Sequence, residues 1–104
     1  MTETEFNAEV DAVLLAIEHS LETSDADLDF EATSGILEIS FSDGSKIIVN
    51  RQTPTREIWV AARSGGFHFA CKDGKWLGTR DGRELFAALS ECATRQAGEA
   101  VVIG

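Results

Sequence analysis

At 104 residues the chain has room for one compact domain and hardly for two, and 43% apolar residues are enough for a buried core. No apolar run is long enough for a transmembrane helix. The net charge of −9 argues against nucleic acid, whose phosphates an acidic surface would repel.

The charge is divided along the chain. Residues 1–45 hold twelve acids and no Lys or Arg, whereas residues 46–104 hold nine bases and six acids. A −12 part is thus joined to a +3 part, a polarity suited to steering a cationic partner or ions. The start, "MTETEFNAEV", lacks the basic-then-apolar pattern of a secretory signal, so a cytoplasmic protein is expected. Cys71 and Cys92 lack metal-ligand spacing and sit in apolar patterns, as reduced buried thiols do.

The first element is a helix over about residues 3–22. Phe6, Val10, Val13, Leu14, Ile17 and Leu21 fall on one stripe, with Asp11, Glu18 and Glu22 along one flank. Then comes "SDADLDFEATSG". Leu28, Phe30 and Ala32 alternate with Asp27, Asp29 and Glu31, the pattern of a half-buried strand with its apolar residues turned inward.

"ILEISF-SDG-SKIIVN" reads as a hairpin. A three-residue loop with Gly44 left-handed pairs Phe41 with Ser45 and Ile39 with Ile47, keeping Leu37, Ile39, Phe41, Ile47 and Val49 on one face. A two-residue Asp43–Gly44 turn would break that agreement. "EIWVAAR" and "GFHFACK" follow as strands joined at Ser64-Gly65-Gly66, and "KDGK" turns into a short strand with Trp76 and Leu77. Asp81 and Glu84 resemble a capping box opening a last helix, whose apolar face is Leu85, Phe86, Leu89, Cys92 and Ala93; Gly98 ends it.

The predicted order is α-β-β-β-β-β-β-α. It implies an α+β two-layer sandwich, with two helices on one face of a twisted antiparallel sheet. Ile58, Val60 and Ala62 suit the covered side. That places Trp59 on the open face with His68 beside it, where an exposed indole reads as a contact residue. The opposite face assignment would make Trp59 core. Trp76 reads as packing.

If the first helix lies beside the first strand, Asp11, Glu18, Glu22, Asp25, Asp27, Asp29 and Glu31 form one acidic ridge. Neighbouring carboxylates about 6–7 Å apart repel by roughly 0.7 kcal/mol in water, so the ridge costs stability and attracts cations. Oxygen ligands favour hard ions such as Mg²⁺, Ca²⁺ and Mn²⁺ and permit iron, and His19 could add a nitrogen. Such ligands, on regular elements at the surface, should bind weakly and with little selectivity. A solvated face with no ligand is the plain alternative. An EF-hand fails, because Phe30 and Ile36 stand where that loop needs Gly and Glu. No phosphate loop, HExxH or nucleophile elbow is present, which argues against an enzyme. Cys71 alternates with Phe67 and Phe69 as a core residue would.

"SDGSKIIVNRQTPTREIWVAARSGGFHFACKDGKWL" resembles the sheet of the bacterial frataxin (CyaY) family. The segments "GSKIIVNRQ-x-P", "IWVA" and "GGFHF" carry the likeness, and the acidic first helix, acid-rich first strand and closing "QAGE" extend it over nearly the whole chain. The resemblance implies the same α+β sandwich and a part in iron–sulfur cluster assembly. It implies weak iron binding on the ridge, with Glu18, Glu22, Asp25, Asp27, Asp29 and Glu31 carried over by position. It further implies contacts with a cysteine desulfurase and a scaffold protein, with Asn50, Gln52 and Trp59 as sheet-face candidates, and a role as desulfurase regulator or iron donor. A protein that is monomeric without metal is expected. His19, Thr23 and Ser24 stand where relatives often carry acids, so the ridge is thinner at its centre. Two other readings stay open: a metal-independent acidic interaction module, and an enzyme such as a ferroxidase.

Overall fold

The computed structural model describes residues 1–104. The first helix, α1, spans Glu3–Glu22 and opens with a reciprocal capping box. Thr2 Oγ1 accepts the Glu5 N–H at 3.1 Å, and Glu5 Oε1 accepts the Thr2 N–H at 3.0 Å. These bonds hold the Glu5 carboxyl below its usual pKa. Phe6, Val10, Val13, Ile17 and Leu21 are buried, as the stripe requires, and Leu14 is half-buried at its margin. Thr23 ends the helix, its N–H and hydroxyl both donating to the His19 carbonyl.

Six strands follow as a meander: β1 Leu28–Thr33, β2 Ile36–Phe41, β3 Lys46–Gln52, β4 Glu57–Ala62, β5 Gly65–Lys72 and β6 Lys75–Gly78. Each pairs antiparallel with the next, so β1 and β6 are the sheet's edges. The second helix, α2, spans Leu85–Ala97 and joins α1 on one face of the sheet, as expected of the sandwich. Alternate strand residues complete one core with the helices: Leu37, Ile39 and Phe41; Ile47 and Val49; Ile58 and Val60; Phe69; Trp76. Trp76 meets Phe6 edge-to-face with ring centroids 6.0 Å apart.

Two turns follow their chemistry. Ile39 pairs with Ile47 and the Phe41 N–H donates to the Ser45 carbonyl, so the β2–β3 loop is Ser42-Asp43-Gly44, with Gly44 at φ 86°. The Asp43 carboxylate accepts the Ser45 hydroxyl at 2.6 Å and its N–H at 2.9 Å. These bonds, helped by Arg63, pull the Asp43 pKa down to about 2. At Asp73-Gly74 both residues are left-handed (φ 52° and 79°), which suits a two-residue hairpin.

Three expectations need correction. The β4–β5 connection is Arg63-Ser64, because Ala62 already pairs with Gly65. Asp81 does not start α2. Glu84 still bridges Leu77 of the sheet, so the helix begins after it, and Glu84's own carboxylate caps the Phe86 and Ala87 N–H groups. Ala32 is exposed, because an edge strand is covered from one side only and its methyl is short; Leu28 and Phe30 are half-buried. Both cysteines are free, with Cys92 buried and Cys71 half-buried against the core.

Candidate functional site

The acidic border is built from the end of α1, the 23–27 connection and the edge strand β1, against which α1 packs. Glu22, Asp25, Asp27, Asp29 and Glu31 are exposed and Glu18 is half-buried. None of these six carboxylates accepts an intrachain hydrogen bond or belongs to an ion pair. Register shows how they are laid out. Phe30 lies opposite Ile39 on the helix side, so Asp29 and Glu31, opposite Ser40 and Glu38, face away from the helices. The carboxylates therefore string along a border shared by two layers. They do not converge: no group of three His, Cys, Asp or Glu is arranged to hold a metal ion.

Asp11 departs from the expected ridge. The Arg51 guanidinium reaches it from β3, and the same guanidinium donates to Asn7 Oδ1 at 2.9 Å. A neutralised carboxylate is a poor ligand, so Asp11 leaves the candidate set. His19 is exposed on the last turn of α1, next to Glu18 in sequence.

The open face of the sheet is the second element of the site. One cross-strand row reads Ile36, Asn50, Trp59, His68, and the adjacent row contains Gln52 and Glu57. All four expected contact residues, Asn50, Gln52, Trp59 and His68, thus lie together on the face without helices, and Trp59 is not core. Its indole stacks on the His68 ring at 4.2 Å with planes 6° apart. Trp59 Nε1–H donates to Glu57 Oε1 at 2.7 Å, and His68 Nδ1 lies 3.8 Å from the same oxygen. Glu57 therefore fixes the pair, a role the sequence reading missed. The signal was there, since Glu57 and Trp59 are two apart on one strand and must share a face. Ile36, 43% exposed, adds apolar surface beside Asn50, its partner across the β2–β3 pairing.

A six-strand meander under two terminal helices is matched by known proteins. The frataxin-like domain family matches residues 1–99. The chain belongs to the frataxin family. Among curated relatives, the iron–sulfur cluster assembly protein CyaY of Paraburkholderia phymatum is 53% identical over 103 residues, covering 99% of this chain and 98% of that one. The protein of the same name from Dechloromonas aromatica is 55% identical, covering 99% of both chains. Among solved frataxins, that of Psychromonas ingrahamii superposes with a TM-score of 0.92 at 33% identity, over 98% of this chain and 97% of that one. A trimeric frataxin from the yeast Saccharomyces cerevisiae, solved as a ferrous complex, gives 0.76 at 27% identity, over 88% and 87%. In this chain the acidic border runs along the β1 edge, between the helix layer and the bare face. No helix in this chain is long and apolar enough to cross a membrane.

Proposed function

We propose that this frataxin acts in iron–sulfur cluster assembly as a non-catalytic iron-binding protein, regulating a cysteine desulfurase or donating iron. The observation that carries the reading is the run of six carboxylates, Glu18 to Glu31, which no group of the chain itself neutralises. Iron is the cargo; other divalent cations would compete for the same oxygens. Strung-out surface carboxylates give weak, multi-ion binding, because no site is preorganised and each ion keeps much of its water. The uncompensated charge also steers a basic patch of the desulfurase toward this border. On the bare face Trp59, with Asn50, Gln52 and His68 around it, supplies the desolvated anchor for desulfurase or scaffold. The setting is the cytoplasm, with a monomer when metal is absent.

Thermal unfolding tests the metal part. Fe²⁺ under anaerobic conditions should raise the melting temperature by several degrees more than NaCl of equal ionic strength, because bound ions relieve repulsion as well as screen it. Equal shifts from both salts would overturn iron binding. They would leave the second reading, a metal-independent acidic docking module, which the lack of any three-ligand cluster favours. In that case reversing the border charges abolishes desulfurase binding, whereas iron leaves it unchanged.

A further inference from the structure

The bare face carries few charges near its tryptophan. The row through Trp59 holds Ile36, Asn50 and His68, and in the next row Gln52 stands opposite Glu57. Arg51, between Asn50 and Gln52 on β3, is turned to the helix layer and bound to Asp11. Glu57 is therefore the one fixed charge that β3 and β4 bring to these two rows. Its carboxylate is already placed, because Oε1 accepts Trp59 Nε1–H at 2.7 Å. His68 Nδ1 lies 3.8 Å from that oxygen, just outside hydrogen-bond reach, and its ring rests flat on the indole. Nearly half of the His68 side chain is exposed, so a proton reaches the ring from solvent without any opening of the fold.

The other charges near His68 come from the chain after β6 and from β5 itself. Arg80, Asp81 and Arg83 line the notch that His68 borders. Arg83 is paired with Glu91, and Asp81 accepts the Arg83 N–H. Arg80 and Asp81 are adjacent and opposite in sign, so their fields at His68 largely offset each other. Lys72 shares the face but lies about 13 Å along the strand. The only ion-pair partner within reach of the imidazole is Glu57.

Histidine is the side chain whose charge changes between about pH 5 and pH 8. With the imidazole neutral, Glu57 leaves one negative charge beside the indole. A proton on His68 sets a cation against both the carboxylate and the indole face, which attract it by charge and by the ring quadrupole.

We propose that Glu57, Trp59 and His68 form a pH-set charge switch in the docking surface. A neutral His68 leaves Glu57 free to meet a cationic side chain of the partner beside Trp59. That partner is basic, as the uncompensated acids of the neighbouring border also require. A protonated His68 takes the place of the partner's cation, and docking weakens. This regulation rests on the bare face being a docking surface.

The switch is tested first in the free, full chain by NMR, titrated from about pH 8 to about pH 5. The Trp59 indole N–H should move along the same curve as the His68 ring protons. His68→Gln should abolish that movement. Glu57→Gln, which keeps an acceptor for the indole but no charge, should remove most of it. An indole N–H that stays still, or moves equally in Glu57→Gln, would overturn the switch. Calorimetry then identifies the partner, desulfurase or scaffold, as the protein whose binding Trp59→Ala weakens. Over the same pH range its affinity for the parent should fall about threefold more than its affinity for His68→Gln. The partner's own titration cancels in that difference. Equal falls for the two chains would overturn the switch, whereas Trp59→Ala weakening neither protein would overturn the docking surface beneath it.

Discussion

The carboxylates of this molecule fall into two regions that are handled differently. Beyond β1, an acid commonly meets a cation or a donor: Asp11 with Arg51, Glu38 with Lys46 at 2.7 Å, Asp43 with Ser45 and Arg63, Glu91 with Arg83 and Arg95. From Glu18 to Glu31 none does. Lys46 comes nearest, since Glu31 adds to the field that, after the Glu38 hydrogen bond, keeps its ammonium above the usual range. Five of the nine bases are bound in these pairs and none is spent on the border. The contrast is between charge that the chain pairs internally and a border whose repulsion it leaves unrelieved, which is the charge the proposed iron binding and docking would use.

The contrast can be broken from the paired side first. Arg51→Ala should cost about 1–2 kcal/mol, because its largely buried stem links α1 to β3 and its loss leaves Asn7 and Asp11 without a donor. The melting temperature should drop by roughly 4–8 °C per kcal/mol. On the unpaired side, replacing Asp25, Asp27, Asp29 and Glu31 with their amides should do the opposite. Stability at low salt should rise by about 1 kcal/mol, the gain should fade as salt is added, and the extra stabilisation by Fe²⁺ should vanish. A fall in stability would mean that those carboxylates make bonds the structure does not contain.

The smallest effect sharpens the comparison through pH. The folded pKa of Asp43, about 2, lies below its ordinary 3.8. Its contribution is therefore present above pH 3.8 and is lost as pH falls toward 2. Urea midpoints of the parent and Asp43→Asn should differ near neutrality and converge at the acid end of that window. Lys46 has the reverse sign. Its raised pKa adds stability below its ordinary 10.5, lost only as pH climbs past the folded value, so Lys46→Met should converge with the parent in strong alkali.

How much was legible follows the reach of each interaction. The α1 stripe and the Gly44 loop are set by neighbours within a few residues, and pattern revealed them. Period put Trp59 on the face opposite to Ile58 and Val60 but left open which face the helices cover, which the structure settles. Thr2 and Glu5 form a capping box that was equally local and went unread. The start of α2 was misjudged because a sheet bridge, Leu77 to Glu84, competes with helix formation at that point. Asp11 was misassigned because its partner lies 40 residues away, and no periodicity shows which side chain a cross-layer arginine reaches. At the border, spacing gave the run of acids from Glu18 to Glu31 with no base near them in sequence. It could not give their division between two layers, which only register settles.

The two tryptophans divide the labour of observation. Trp76 is sealed in the core against Phe6, so its emission follows whether the molecule is folded. Trp59, laid flat on an imidazole at the surface, senses whatever covers the bare sheet or changes the charge of that ring. A folded molecule engaged by a partner should alter the second signal while the first stays constant, so the chain carries its own unlabelled gauge of occupancy beside a gauge of integrity.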